Sequence, residues 1–477
     1  MHRRDFIGSL AVGFPSLLVS RQLSAPRSPH AIVIGAGLAG LAAALQLDVA
    51  GWDVSMLEAR SRPGGRVFTL REPFSDGLYA DAGAARIQDT HEYTLTYVKQ
   101  FNLTLDPFWP TDGNTVMWIG GRRILSPPRT PVDLAQVPLD FSADERRLGL
   151  RGGYAKYLFS HLDALGDVTA ASWPQGDVSR FEVSIDEFCR RSGASPAFIR
   201  MVAFGHDLAR MSALQFLRDA ALGVNTRQWF KIRGGNDRLP AALAARLSEK
   251  IRYGSPVVRI AQDDTSVRVT YLRDRTPTTV TGDYVVCAVP AAVMDRVEVS
   301  PELRPVKRAA LRELGSLAMA RVYLQSRRRF WLERGDSGWG GTDDPMDIWD
   351  YTRDQPGHRG ILGAYLSGGI AEQVTALAAS ERGPWVLPRM EHAHPGLSEH
   401  FETSASYSWI EDAWARGAGV EFHPGQMSRY YHVLRAPEGR IHFAGEYTSP
   451  WSSWMNGALE SGHRVAAELS AREGRGR

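Results

Sequence analysis

Three glycines and one glutamate near the start of the chain have the spacing of a dinucleotide-binding turn. Gly35, Gly37 and Gly40 form a GxGxxG motif after the apolar run Ala31 to Ile34. Such glycines allow a tight turn, close approach of a pyrophosphate and close packing of the following helix on the strand. Unpaired N–H groups at the helix N-terminus bind the phosphates. Glu58 ends the next apolar run, where a carboxylate accepts from a ribose 2′-hydroxyl. The pattern therefore predicts strand, turn, helix and strand.

The second strand continues into EARSRPGGRVF, residues 58–68. This segment resembles the second fingerprint of the flavin monoamine oxidase and L-amino-acid oxidase superfamily, E-A-x-x-R-x-G-G-R, which is matched by Glu58, Ala59, Arg62, Gly64, Gly65 and Arg66. The resemblance implies FAD as the redox cofactor, with the double glycine and second arginine near its pyrophosphate and ribityl region. The contacts expected from both motifs are Gly35, Gly37, Gly40, Glu58, Ala59, Arg60, Gly65 and Arg66.

The resemblance extends from residue 31 to about residue 470 and implies an α/β fold. We expect a Rossmann-like FAD-binding domain of the GR2 type, assembled from residues 30–85, 231–295 and 425–470. A substrate domain of mixed sheet and helix would comprise residues 86–230, largely helical, and residues 296–424, expected to form a sheet over the flavin.

The segment Gly83 to Arg86 distinguishes subfamilies, because L-amino-acid oxidases have a similar GPMR sequence there. An arginine can bind a carboxylate through two parallel N–H···O bonds. It also keeps its charge, so it requires an anion when it is buried. We therefore predict that Arg86 binds the substrate α-carboxylate, and that Gly83, Ala84, Ala85 and Arg86 lie against the flavin. The alternative is an arginine that serves the FAD phosphates or a structural ion pair.

The last part of the chain contains the other contacts that the resemblance implies. Val257 is expected to hold the adenine ring through its backbone, and Glu446, in RIHFAGEYT, to accept from the ribityl chain. Ser453 and Trp454 occupy the positions of a Gly-Trp pair whose carbonyl binds the substrate amine and whose indole forms a wall of the site. The helix that follows would direct its positive N-terminus at the flavin N1–C2=O locus through Met455, Asn456 and Ala458. No cysteine lies near this loop, so the FAD is expected to be non-covalent.

Besides Ser453, which stands where the family has glycine, two residues depart from the family pattern. Arg321 in MARVYLQS replaces a lysine that holds a water near flavin N5, and Asn236 replaces the methionine of a GGMDxLP motif. With an arginine at that position, the charge is kept and the geometry changes. We list Arg321 with Arg86 and Trp454 as the catalytic candidates.

The substrate side chain is left open by the sequence. A second carboxylate contact is expected from Tyr351 or Trp349 in MDIWDYT. Asp219 and Asp350 would favour a cationic side chain, whereas Trp349, Trp414 and Trp454 would favour an aromatic one. Either acid could equally be solvent-exposed.

Composition excludes several other classes. The net charge of +3 over 477 residues gives no argument for a nucleic-acid partner. Cys189 and Cys287 are too few for a metal site. Residues 1–29 begin with Arg3-Arg4-Asp5-Phe6-Ile7, which resembles a twin-arginine export signal; a disordered tail of a cytoplasmic protein is the alternative. We expect no integral membrane segment; a homodimer is compatible with the sequence.

The prediction is an FAD-dependent L-amino-acid oxidase that uses O2 and releases a 2-oxo acid, ammonia and hydrogen peroxide. The alternatives are an oxidase of a carboxylate-free amine such as a polyamine or alkaloid, a decarboxylating amino-acid monooxygenase, and an FAD-bound protein without enzymatic activity.

Overall fold

The computed structural model describes residues 27–203, 209–344 and 346–475. The export-signal prediction falls on residues that lie mostly before this range. The α-helices of the described part are Leu38–Val49, Glu92–Gln100, Ala143–Tyr157, Ile185–Arg191, Pro196–Val202, Ala213–Gly223, Arg238–Arg246, Pro305–Glu313, Phe330–Glu333, Gly369–Thr375, Ala379–Ala393, Leu397–His400, Gln426–Arg435 and Met455–Arg475. None of these helices combines the length and apolar character needed to cross a bilayer.

A five-stranded parallel sheet forms the nucleotide-binding half of the molecule. The strand His30–Ile34 is buried throughout and pairs with Asp53–Leu57 on one side and Tyr284–Cys287 on the other. Ile251–Arg252 and Ile441–Phe443 extend the two edges, also in parallel. The predicted strand, turn, helix and strand are confirmed, and the parallel sheet is of the Rossmann-like type. Its strands come from three separate parts of the chain.

The last helix packs directly against the first. Met455–Arg475 lies on Leu38–Val49 with little space between the backbones. A Cβ atom built on Gly462 would lie 2.4 Å from the Ala39 carbonyl oxygen. Residues far apart in sequence therefore cover one face of the parallel sheet together.

A seven-stranded sheet forms the other half. Its strands, in spatial order, are Phe401–Ser408, Met319–Ser326, Gly360–Ser367, Met346–Asp350, Asp336–Thr342, Asn114–Ile119 and Arg122–Ser126. The last two form a hairpin in the glycine- and proline-rich stretch that interrupts the largely helical pattern expected for residues 86–230. The periodicity of that region did not predict this hairpin, because its strands complete a sheet whose other members belong to residues 319–408.

The remaining strands form smaller sheets. A four-stranded sheet is formed, in spatial order, by Thr276–Gly282, Val267–Arg273, Val257–Gln262 and Glu298–Ser300. Ile87–Gln88, Trp229–Ile232 and Leu105–Pro107 form a three-stranded sheet, and Thr69–Leu70 with Ala80–Asp81 and Gly315–Ser316 with Val420–Glu421 form pairs. These short strands fix the segments that lie between the two large sheets.

Candidate active site

A cavity of about 310 Å³ lies where the carboxyl ends of the parallel strands face the seven-stranded sheet. In open α/β sheets, ligands bind at this edge. The predicted site residues that line it are Gly35, Gly37, Glu58, Ala59, Arg60, Gly65, Arg66, Gly83, Ala84, Ala85, Arg86, Asp219, Val257, Arg321, Glu446, Ser453, Trp454, Met455 and Ala458. Segments spread over more than four hundred residues therefore meet around one space.

The turn after the first strand leaves room for a phosphate. A Cβ atom at Gly37 would meet nothing within 4 Å, although Gly37 lines the cavity. Glu58 fixes this turn: its carboxylate accepts from the backbone N–H of Ala36 at 2.6 Å and of Arg60 at 2.8 Å. Burial raises the pKa of the Glu58 carboxyl. The open face at Gly37 and the buried acceptor at Glu58 suit the pyrophosphate and ribose of FAD.

Three other predicted cofactor residues take part in ion pairs in the cavity wall. Arg66 donates both Nη atoms to Glu446, at 3.0 and 2.9 Å, and Glu446 also accepts from the Val420 N–H. Arg60 donates both Nη atoms to Asp412 in the same way. Paired charges of this kind can stay buried beside a cofactor.

Arg86 lies between three tryptophan rings and has no hydrogen-bond acceptor or ion-pair partner among the described residues. Its guanidinium carbon is 5.3 Å from the Trp349 ring and 5.6 Å from the rings of Trp229 and Trp454. Burial lowers the pKa of Arg86, and the neighbouring Arg321 adds to that effect. A guanidinium stays charged even so. Its five N–H donors are therefore available to an anion in the cavity.

The loop before the last helix brings Trp454 to this cavity and directs Trp451 away from it. Trp454 lines the cavity and contacts His91 and Trp229, with ring centroids 5.0 and 5.7 Å apart, whereas the Trp451 ring contacts Tyr93. Ser453 adopts a φ of +63°, in the left-handed region, and its Oγ donates to the Val420 carbonyl at 2.7 Å. Glycine reaches this conformation without strain, which explains why a glycine suits this position.

Two predicted contacts in MDIWDYT need correction. Tyr351 lines a separate cavity of about 20 Å³ with Trp349 and Asp350, and Tyr365 lines the large cavity instead. Trp349 reaches the site from behind, stacked on Tyr365 with centroids 4.8 Å apart. Tyr365 lies on the strand Gly360–Ser367, in which the sequence analysis predicted no site residue.

The acidic residues also differ from the prediction. Asp350 accepts from Trp331 Nε1 and from Thr352, so it has a structural role. Asp347 lies three residues earlier on the other face of the strand, paired in register with Tyr365 and close enough to Arg86 to affect it electrostatically. Strand alternation could have indicated Asp347, because residues 347, 349 and 351 share one face.

Asp219 lines the cavity, as expected, and it is also paired with a buried arginine. The Arg218 side chain donates to Asp219 Oδ1 at 2.9 Å and also bonds Ser452 Oγ. The alternative that Asp219 is simply a solvent-exposed acid therefore does not hold.

Gly40 and Asn456 lie outside the cavity lining. A Cβ atom at Gly40 would lie 1.9 Å from the Gly35 carbonyl oxygen, so Gly40 serves helix packing. Asn456 Oδ1 accepts from the Thr94 N–H at 3.1 Å, and the Asn456 side chain is buried against the helix Glu92–Gln100, which contains Thr94. Instead of the expected direct contact with the cofactor, these two residues hold elements that line the cavity.

The fold and the cavity define a nucleotide-dependent oxidoreductase whose second sheet covers the cofactor site. A family model described as flavin containing amine oxidoreductase matches residues 38–470, and the chain belongs to that family. It is an FAD-dependent enzyme that acts on CH–NH2 donors.

Relatives are named as members of this family, and a solved structure shares its fold. "Putative L-amino-acid oxidase YobN" of Bacillus subtilis (strain 168) is 30% identical, covering 95% of this chain and 97% of the relative. An L-amino-acid oxidase of Vipera ammodytes ammodytes is 29% identical over 92% of each chain. The structure of cyclohexylamine oxidase from Brevibacterium oxydans IH-35A has a TM-score of 0.80 at 22% identity and covers 94% of this chain and 99% of its own. At that identity, the structural match concerns the fold.

Proposed function

We propose that the protein is an L-amino-acid oxidase that produces a 2-oxo acid, ammonia and hydrogen peroxide. The single observation that carries this proposal is Arg86, a half-buried guanidinium without an acceptor in the described part of the chain, at the cavity that we propose for FAD. A substrate carboxylate would supply the missing anion through two charge-assisted hydrogen bonds. An amine without a carboxylate would leave those donors unsatisfied in a site closed by aromatic rings, which is costly.

The residues around the cavity have distinct roles in this proposal. Arg86 fixes one end of the substrate, and Trp454 limits its rotation, so that the Cα–H is held in one orientation. The Ser453 carbonyl is the expected acceptor for the substrate amine. FAD, when bound, supplies the hydride acceptor. The neutral amine provides the electronic push, so no side chain is required as a base at Cα.

The direct test is anaerobic reduction of the FAD-loaded protein, followed by its absorbance. A set of L-amino acids is compared with the amines that result from their decarboxylation. We expect bleaching by at least one amino acid and none by its matched amine. Bleaching by amines alone would contradict the proposal. Mass analysis of the aerobic product separates a 2-oxo acid from the amide that a decarboxylating monooxygenase releases.

Oxidation of a carboxylate-free amine is the second candidate. Asp347 favours it, because this carboxylate has no ion-pair or hydrogen-bond partner among the described residues and lies close to Arg86. It could partly neutralise Arg86 and bind a cationic group. The amine arm of the same reduction experiment decides between the two candidates. Export through the Arg3-Arg4 segment, the domain boundaries given above and a homodimer are proposals that rest on the sequence alone.

Carboxylate binding should depend on pH through Asp347. Burial raises the pKa of the Asp347 carboxyl to about 6, although the charge of Arg86 opposes this shift. As the pH falls through about 6, Asp347 takes up a proton and its negative charge beside Arg86 disappears. Affinity for benzoate, measured by flavin absorbance between about pH 5 and pH 8, should therefore rise several-fold as the pH falls.

The control for this effect is Asp347→Asn, which should flatten the profile. Asp81 has a pKa that burial also raises to about 6, but its side chain accepts from Thr69 and from the Asn236 N–H. An unchanged slope in the Asp347→Asn variant would assign the pH dependence to Asp81 or to another group.

A further inference from the structure

The backbone that leads to Arg86 is held by side chains from distant segments. The Asp81 carbonyl oxygen accepts from Arg321 Nη1 and from Tyr323 Oη, the latter at 2.8 Å. The next carbonyl, of Ala82, accepts from Trp409 Nε1 at 2.8 Å. Arg321 and Tyr323 come from one strand of the seven-stranded sheet and Trp409 follows its edge strand, so this sheet holds the start of the segment Asp81–Arg86.

Asn236 holds the part of the segment closest to Arg86. Its Nδ2 donates to the Ala84 carbonyl at 2.9 Å, and its Oδ1 accepts from the Ile232 N–H at 2.7 Å. Its own backbone N–H donates to Asp81 Oδ1 at 3.0 Å. Asn236 is completely buried and bonds the segment at two points, Asp81 and Ala84.

The opposite edge of the segment is fixed by backbone bonds. The N–H groups of Ala82 and Gly83 donate to the Phe68 carbonyl, and that of Ala84 donates to the Arg66 carbonyl. Gly83 is packed so closely that a Cβ atom would lie 1.9 Å from the Arg66 oxygen. The backbone from residue 81 to residue 84 is therefore held on both sides.

In contrast to this backbone, the Arg86 guanidinium has no hydrogen-bond or ion-pair partner among the described residues and lies against aromatic rings. Its position is consequently set by the backbone from which it extends. We infer that Asn236, Tyr323, Trp409 and Arg321 are positioning residues for Arg86, which they orient through the carbonyls of Asp81, Ala82 and Ala84. This inference rests on the proposed function, in which Arg86 binds a carboxylate. Arg321 therefore has two roles: it lines the cavity, and it helps to position Arg86.

Asn236→Ala and Tyr323→Phe test the inference, since neither side chain lines the cavity. Asn236→Ala removes the bond to Ala84, and Tyr323→Phe removes one hydroxyl group while Arg321 stays on the same carbonyl. The matched control is Tyr271→Phe. Tyr271 is also buried, but it lies in the four-stranded sheet and its hydroxyl group accepts from Arg252. Dissociation constants for benzoate and for benzyl alcohol, which lacks the carboxylate, are measured on the FAD-loaded proteins by flavin absorbance.

We expect benzoate to bind about tenfold more weakly to Asn236→Ala and about threefold more weakly to Tyr323→Phe, with benzyl alcohol unchanged in both. The Tyr271→Phe variant should bind both ligands like the wild type. Unchanged benzoate affinity in Tyr323→Phe and in folded Asn236→Ala would overturn the inference. An equal loss for both ligands would do the same, because it would indicate general loosening of the site. If Asn236→Ala does not fold, Tyr323→Phe alone decides.

Arg86→Leu separates this failure from failure of the proposed function. If Arg86→Leu loses benzoate affinity while the positioning variants keep it, the carboxylate-binding role stands and the inference is wrong. If Arg86→Leu binds benzoate like the wild type, or the wild type does not bind benzoate, the carboxylate-binding role itself is wrong and the inference fails with it.

Discussion

Replacing Arg86 by leucine should raise the apparent dissociation constant of an L-amino acid substrate by about a hundredfold. The reason is the loss of two charge-assisted hydrogen bonds, which together contribute about 3 kcal/mol. FAD content should stay close to that of the wild type, since the side chain is enclosed by Trp229, Trp349 and Trp454 and makes no bond to the segments that bind the nucleotide. The measurement is the substrate dependence of anaerobic flavin reduction.

The matched control is Arg389→Leu. The Arg389 guanidinium carbon also lies over a tryptophan, 3.6 Å from the Trp385 ring centroid, but on a helix outside the cavity lining. This variant should reduce the flavin like the wild type. If Arg86→Leu keeps its substrate affinity as well, Arg86 does not bind the carboxylate, and oxidation of a simple amine becomes the better interpretation.

Alanine at Gly40 and at Gly37 should have effects of different kinds. The Cβ atom of Gly40→Ala would overlap the Gly35 carbonyl oxygen at 1.9 Å, so the first helix could not pack on its strand. We expect a loss of about 3 kcal/mol or more in the free energy of unfolding, with little folded protein recovered. Gly37→Ala meets no protein atom, and its methyl group would occupy space that the FAD pyrophosphate requires.

Gly37→Ala should therefore give a folded chain with little FAD. The measurements are the FAD-to-protein absorbance ratio and the thermal unfolding midpoint, with and without added FAD. Added FAD stabilises the wild type by binding only the folded state, and this increase should be largely absent in Gly37→Ala. Normal FAD content in Gly37→Ala, or normal folding of Gly40→Ala, would contradict the assigned roles of the two glycines.

The nucleotide-binding unit could be predicted from the sequence. Gly35, Gly37, Gly40 and Glu58 act through turns and bonds formed within or next to one βαβ unit, and the Glu58 carboxylate accepts from the nearby backbone of Ala36 and Arg60. Interactions of such short range depend on local geometry, which residue type and spacing encode. The family resemblance similarly predicted the fold class, the cofactor and the loop that carries Trp454.

Which side chains surround Arg86 could be read from the tertiary structure alone. Tyr365, which lines the cavity, lies outside MDIWDYT and is placed beside Asp347 by the pairing of two strands. Alternation within MDIWDYT separates Asp347 from Asp350, but no local signal specifies the partner strand or its register. The three tryptophans around Arg86, which are Trp229, Trp349 and Trp454, likewise come from three separate segments. These segments meet only in the folded protein, where the two large sheets face each other across the cavity.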